Sequence, residues 1–271
     1  MSDSRTQMDE NRAHWDEMAT LHPTTEFYNL EGFKRDRTQL DSIVREQLGD
    51  IAGKSALHLQ CHFGMDTLRL AWMGAQATGA DFSPTAIATA RALADELETP
   101  ATFVESNVYD LLDNLDAQFD VVFTSHGAIT WLPDIRAWAR VVGHFLKPGG
   151  RFVIVNGHPA TWMLDDEHPD ALVIKYPYFV TGSPLTLEQD GSYADASASI
   201  SNKRTHSWNH PLGEVITALI DAGLTIEHVG EYSYCSWRMV PLMYEDSEGW
   251  WQLPEQFPSL PFLFSIRASK R

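Results

Sequence analysis

The chain has 271 residues, 44% of them hydrophobic, which suits one large α/β domain with insertions or one domain plus a small cap. Its formal net charge of −17 repels DNA, RNA and anionic membrane surfaces unless a local basic patch offsets it. Lys34-Arg35-Asp36-Arg37 is short and broken by an acid, so no nucleic-acid or membrane partner is expected. No run approaches ~18 apolar residues. The polar, acidic start MSDSRTQMDENR has no secretory apolar stretch, and with Cys61 and Cys235 far apart the expected location is a reducing cytoplasm.

Taken in order, residues 1–8 read as disordered, Asp9–Ala19 as a short helix carrying His14-Trp15-Asp16, and Thr20–Glu31 as irregular and aromatic. Phe33–Leu48 reads as one amphipathic helix, with Leu40, Ile43, Val44 and Leu48 on one face and Gly49 as its stop. Ala56, Leu57 and Leu59 give a short strand, Gly64 a turn, Met65–Met73 a helix stopped by Gly74, and Ala77–Ala80 a second strand with Asp81 at its carboxyl end. This order is a right-handed βαβ unit. Its first turn offers backbone N–H groups and a helix N-terminus, and the acid closing its second strand accepts hydrogen bonds from ribose hydroxyls. A nucleoside-containing small molecule follows as the expected ligand.

Ser83-Pro84 caps a helix that runs to about Glu98, and Ala101–Glu105 is strand three, ending at Ser106-Asn107-Val108. Phe119–Thr124 is a buried strand four with Ser125-His126-Gly127 at its carboxyl edge, where open α/β sheets bind ligands. Pro133 and Asp134 open a helix that turns Ile135, Trp138, Val142 and Phe145 to the core, and Pro148-Gly149-Gly150 leads into strand five, Arg151–Asn156. His158–His210 breaks the alternation. A structureless loop of that length is improbable, so an antiparallel cap over the ligand edge is expected, with Leu172–Tyr176 and Lys203–Trp208 as candidate strands. Gly213–Ala222 is a helix, Leu224–Tyr234 strand six, Ser236–Pro261 a Pro- and Trp-rich excursion, and Phe262–Ala268 the last strand.

From about Gly53 to His158 the chain resembles a class I S-adenosylmethionine-dependent methyltransferase. Four stretches carry the resemblance: LHLQCHFG (57–64), GADFSPTAIATAR (79–91), FDVVFTSHGAITWLPD (119–134) and LKPGGRFVIV (146–155). The family's first turn usually reads D/E-x-G-x-G-x-G. Here His58 stands for the acid, Gln60 and His62 for two glycines, and only Gly64 remains. The likeness is to a subgroup with an LHLQCHFG-type first motif.

The resemblance implies a Rossmann-like fold: a seven-stranded, mostly parallel sheet with its last strand reversed between strands five and six, an N-terminal helical lid (1–50) and a methyltransferase domain (51–271) with a cap at about 158–210. It implies S-adenosylmethionine as cofactor, with the backbone of Gln60–Gly64 under the methionine and ribose. Asp81 then holds the ribose hydroxyls, Phe82 packs on the adenine, and Asn107 and Val108 read the adenine edge. Trp15 and Tyr28 wall the site from the lid, or simply anchor the lid to the core. His62 bonds the methionine carboxylate or packs locally, and Ser125 and His126 lie near the transferable methyl.

The reaction implied is in-line attack by an O, N, S or C nucleophile of a small-molecule metabolite. The protein's task is alignment, exclusion of water and, where needed, removal of a proton. His126 leads as base on position, ahead of His158 and His210. His58, Cys61, His62 and Asp66 are of metal-binding type, but a strand position turns His58 into the fold, and no metal is expected. The same fold also serves other S-adenosylmethionine reactions, or a non-catalytic binding module. A dinucleotide oxidoreductase is disfavoured because G-x-G-x-x-G is lacking. A monomer and a homodimer are equally compatible with the sequence.

Overall fold

The structure is a computed structural model that describes residues 2–179 and 182–271, with the side chains of Ser2 and Asp3 outside the description. The lid comprises α1 (Ser2–Leu21), α2 (Leu30–Asp36) and α3 (Ser42–Leu48). The alternating region follows as β1 (Ser55–Leu59), α4 (Met65–Trp72), β2 (Gln76–Asp81), α5 (Pro84–Glu96), β3 (Ala101–Glu105), α6 (Leu111–Asn114), β4 (Phe119–Ser125), α7 (Ile135–Phe145) and β5 (Leu146–Gly157). The cap contributes β6 (Leu185–Glu188) and β7 (Arg204–Ser207). The chain then continues through α8 (Leu212–Asp221), β8 (Leu224–Tyr232), β9 (Tyr234–Cys235), β10 (Tyr244–Glu245), β11 (Trp251–Gln252) and β12 (Leu263–Lys270).

One seven-stranded sheet runs in the order β3-β2-β1-β4-β5-β12-β8. β1 pairs in parallel with both β2 and β4, while β12 runs antiparallel between β5 and β8. The reversed last strand therefore sits where it was expected. With β1 and β4 adjacent, and the chain moving outward from β1 in both directions, the order reverses between them, and that is where such sheets bind ligands at their carboxyl ends. The two faces are covered differently. Trp138, Phe145, Phe152 and Leu219 fill one layer, and Val44, Leu70, Phe123 and Phe262 the other. Along α7 the buried residues Ile135, Trp138, Ala139, Val142 and Phe145 recur at helical spacing, which makes this helix a core element.

Three expectations need correction. Residues 2–8 are not disordered but form the start of α1; Met1 lies outside the described residues. Helix α1 is held by long-range contacts rather than propensity: Asn11 exchanges two hydrogen bonds with the backbone of His206 in β7, both 2.8 Å. Phe33–Leu48 is two helices, not one. Arg37 ends α2 in a left-handed conformation (φ 45°), and the Asp41 carboxylate caps α3 by accepting from the Val44 N–H at 2.9 Å. The two helices also pack on different clusters, Phe33 of α2 against Leu68 and Phe103, and Ile43, Val44 and Leu48 of α3 against Leu70 and Phe123. In the cap, Leu172–Tyr176 makes only an isolated bridge, Leu164 to Ile174, and the hairpin is β6 with β7.

The Trp-rich excursion supplies β10 and β11 of a small sheet whose third strand, β9, directly precedes it, in the order β10-β11-β9. Cys61 and Cys235 are both buried and unpaired. Among the described residues no helix is long and apolar enough to cross a membrane.

Candidate active site

The turn after β1 is built on a backbone that normally demands glycine. Gln60, His62 and Gly64 have φ of 56°, 50° and 85°. Alternating left-handed residues turn successive backbone N–H groups into one concavity, a shape suited to anions and other acceptors. Gln60 and His62 are not glycines, yet they hold the conformation glycine permits, at a cost of about 1–2 kcal/mol for each. Side chains give the loop new anchors in exchange. Gln60 donates through Nε2 to the Ala128 carbonyl at 3.0 Å, tying the turn to the segment after β4. Cys61 donates its backbone N–H to the Ala80 carbonyl at the end of β2.

Asp81 closes β2 directly beside this turn. Its Oδ2 accepts from the His62 backbone N–H at 2.9 Å and its Oδ1 from the Ser83 N–H at 3.0 Å. The side chain is buried. Burial raises its pKa, backbone donors at Ser83, His62 and Phe82 oppose this, and the result is about 6. This carboxyl is therefore near its ionisation point at neutral pH and gains from any ligand that donates to it.

The N-terminal helices pack on the turn. Asp16 of α1 accepts from Ser83 Oγ at 2.7 Å and from the Thr85 N–H at 3.0 Å, docking on the N-terminus of α5. Trp15 stands edge-on to His62 (ring centroids 5.4 Å apart) and to Trp131 (5.2 Å). His22 Nδ1 lies 2.8 Å from His62 Nε2, and its own Nε2 lies 2.9 Å from Ser192 Oγ in the cap. Tyr28 stacks on His22 and meets Tyr193 hydroxyl to hydroxyl. Lid, turn and cap are thus tied through one imidazole pair. Two buried atoms here lack partners, Trp15 Nε1 and Gln60 Oε1, one a donor and one an acceptor.

Burial, with a smaller contribution from His14, depresses His22 to about 3, and burial likewise takes His62 well below its ordinary value. Both are neutral as packed here. A histidine with a depressed folded-state pKa stabilises fully above its unfolded pKa, about 6.5, and loses that contribution as pH falls toward the folded value. Unfolding free energy should therefore fall between pH 7 and pH 5. Replacing His22 by glutamine should flatten that slope by an amount that approaches one proton near pH 5, about 1.4 kcal/mol per pH unit at its steepest. Denaturant melts at stepped pH measure it, and an unchanged slope would contradict the burial of the His22–His62 pair.

At the end of β4, Ser125 Oγ is 3.0 Å from His58 Nε2, whose Nδ1 is 3.0 Å from Thr67 Oγ1. His58 thus points into the fold, and burial takes it down to about 4, so it bonds as a neutral ring. His126 is held by Asp41, with Nε2 2.9 Å from Oδ2. Asn107 spends its amide oxygen on the Tyr109 N–H at 3.0 Å. Val108 is buried in the core beside it, and Phe82 is half-buried.

The other two candidate bases are structural. His158 Nδ1 accepts from the Ala160 N–H, and His210 Nε2 donates to the Leu132 carbonyl. Among the described residues no group of three or more His, Cys, Asp or Glu is placed to hold a metal.

The structure thus brings Trp15, Tyr28, Gln60, His62, Gly64 and Asp81 into one assembly, while Ser125 bonds His58 and the His126 ring lies against Asp41 and Trp237. Sequence reasoning missed Asp16, His22, Ser192 and Tyr193, because their partners lie far off in the chain, and Asp41, which helix periodicity placed inside a helix. The His-Pro pair at 22 and the His14-Trp15-Asp16 cluster were the only local signals.

Residues 57–152 match the family model of a methyltransferase domain. A ubiquinone biosynthesis O-methyltransferase of Alkalilimnicola ehrlichii is 30% identical over 122 residues, covering 44% of this chain and 49% of the relative. An uncharacterised methyltransferase of Synechocystis sp. is 34% identical over 121 residues, covering 44% and 54%. The chain spans about half the length of these relatives. Among solved structures, an S-adenosylmethionine-dependent methyltransferase from Mesorhizobium loti superposes with a TM-score of 0.58 at 23% identity, over 84% of this chain and 96% of that one. A second, from Listeria monocytogenes, gives 0.59 at 20% over the same shares. Residues 57–152 are therefore similar to a methyltransferase domain, and the fold of the chain is the one these S-adenosylmethionine-dependent methyltransferase structures have.

Proposed function

We propose that the protein is an S-adenosylmethionine-dependent methyltransferase acting on a nucleophile of a small-molecule metabolite. The observation that carries this reading is the buried Asp81 carboxylate facing a turn whose backbone keeps three left-handed residues at 60, 62 and 64. That combination fits an adenosyl group. The carboxylate suits the two ribose hydroxyls, and the unpartnered Gln60 Oε1 and Trp15 Nε1 suit the polar ends of the methionine moiety. Phe82, Asn107 and Val108 follow Asp81 toward the adenine side, while Tyr28 and His62 close the other side and exclude water. When bound, the cofactor supplies a methyl group already activated on a sulfonium sulfur. The chain's residues have to bind, orient and enclose, and the lid and cap serve that task.

A metabolite is favoured over a nucleic acid by the charge of −17 and by the aromatic enclosure. The O-methyltransferase named above among the relatives is in keeping with this. Location in the cytoplasm belongs to the same proposal.

Calorimetric titration tests the reading. S-adenosylhomocysteine should bind with a dissociation constant in the micromolar range or below, and NADH should give no heat. Binding of NADH with none of S-adenosylhomocysteine would replace the proposal by a dinucleotide enzyme. Tight binding without label transfer from methyl-labelled cofactor to a metabolite extract would point to another reaction of the same cofactor.

A further inference from the structure

We infer that Asp41 is a positioning residue for His126, that Nδ1 of His126 is the proton acceptor of the reaction, and that the methyl acceptor is a hydroxyl compound. This rests on the methyltransferase reading above and extends it to the acceptor. His126 follows β4 at the carboxyl edge of the sheet, within two residues of Ala128, whose carbonyl holds Gln60. Its Nε2 is 2.9 Å from Asp41 Oδ2, and an imidazole meets a carboxylate by donating. The lone pair is thereby fixed on Nδ1, and Nδ1 is buried without a partner. An orphaned acceptor of this kind is costly to keep unless it has a use.

Asp41 is itself immobilised, since its other oxygen caps α3 at Val44. The dyad therefore joins the lid to the ligand edge. The charged and titratable groups facing His126 are Asp41, Asp66 and Arg69, with His58 beneath; Trp237 of the C-terminal excursion stands edge-on at 5.6 Å. Burial disfavours the imidazolium, but Asp41 and Asp66 outweigh it and raise the pKa, which keeps the ring basic.

An alkylammonium group sheds its proton to bulk water before it binds and then attacks through a free lone pair, and a thiol ionises unaided at a pKa near 8.5, whereas a phenol holds its proton to about 10 and must give it up as it attacks. A base is therefore most useful to a hydroxyl. In the step proposed, the acceptor O–H bond breaks, its proton forms an N–H bond at Nδ1, and the oxygen keeps the electron pair with which it takes the methyl group.

The test gives the protein methyl-labelled cofactor with catechol, phenol, benzylamine and thiophenol, and follows S-adenosylhomocysteine binding on the same samples. Label is expected in catechol or phenol. The rate should fall about 10²–10⁴-fold in H126Q and in kcat rather than KM in D41N, with S-adenosylhomocysteine still bound by each. Nitrogen NMR of His126 should show the Nε2–H tautomer, lost in D41N. Label confined to benzylamine or thiophenol, no label with S-adenosylhomocysteine bound, a hydroxyl rate indifferent to H126Q, or an Nδ1–H tautomer would each overturn the inference. Failure of the unaltered protein to bind S-adenosylhomocysteine would instead overturn the methyltransferase reading.

Discussion

Replacing Asp81 by alanine is expected to weaken S-adenosylhomocysteine binding about 100-fold or more, the largest single effect on the ligand. Two losses combine. The ribose hydroxyls lose a charged acceptor, and hydrogen bonds to charged groups are worth about 1.5–3 kcal/mol each. The His62 and Ser83 N–H groups, which the carboxylate now satisfies at 2.9 and 3.0 Å, lose their partner as well, so the turn loosens. Asparagine keeps the volume but keeps only one acceptor oxygen where two are used, and a drop of at least about tenfold is expected for it.

The same residue sets a pH dependence. Because burial raises this carboxyl to about 6 in the free protein, it is increasingly protonated below that value, and a ligand that needs the carboxylate pays for ionisation. Affinity should fall tenfold per pH unit below about 6 and be flat above it. The sign for stability is opposite to that of a paired carboxylate. The unfolded chain ionises near 3.9, so this group's contribution declines as pH rises from about 4 to about 6. Calorimetry from pH 5 to pH 8 on the wild type and D81N checks both, and the variant should lose the dependence.

The largest effect on stability is expected at Gly64. Its φ is 85°, and a Cβ there would stand 2.8 Å from both Ala90 Cβ and Phe103 Cε1. Alanine must then pay left-handed strain of about 1–2 kcal/mol and overpacking of about 1–3 kcal/mol against α5 and β3. A loss of about 2–5 kcal/mol lowers the melting temperature by roughly 5–20 °C in a domain of this size. Gly53 is the internal control, since it has a φ of 73° but nothing within 4 Å of its Cβ position. G53A should cost only the strain. Equal melting temperatures for the two variants would show that the turn does not seat against α5 and β3 as described. Close approach recurs at Gly79, where a Cβ would meet Cys61 Sγ and Thr67 Oγ1 at 2.8 Å, and there it lets the turn lie against β2.

The sheet was legible because its strands are short apolar runs punctuated by Gly, Pro and Asp. Gly64 marks the first turn, Ser83-Pro84 the start of α5, and Asp134 the cap of α7, whose carboxylate accepts from the Ala137 N–H at 2.8 Å. The lid was misjudged for a physical reason. Its residues 2–8 carry no apolar stripe of their own, and α1 is ordered by partners near residue 200, such as Asn202 and His206, which no local window contains. The break at Arg37 was hidden because Leu40, Ile43, Val44 and Leu48 keep helical spacing and face one core, while the stop signal, a left-handed arginine, has no sequence signature.

In the candidate site the order of difficulty was similar. Asp81 was readable from its place at a strand end. His62 looked like a defect in a glycine motif, whereas its ring is the contact point for His22, Trp15 and Tyr28. Asp41 read as one more polar residue on a helix, and only the fold brings it to His126.

The most direct measurement is a crystal structure with S-adenosylhomocysteine bound. Both ribose hydroxyls are expected within hydrogen-bond distance of the Asp81 carboxylate, the adenine beside Phe82 and Val108, and the sulfur toward Ser125 and His126 beneath Trp15. A nucleoside bound elsewhere on the sheet edge, or with its ribose turned away from Asp81, would contradict this placement.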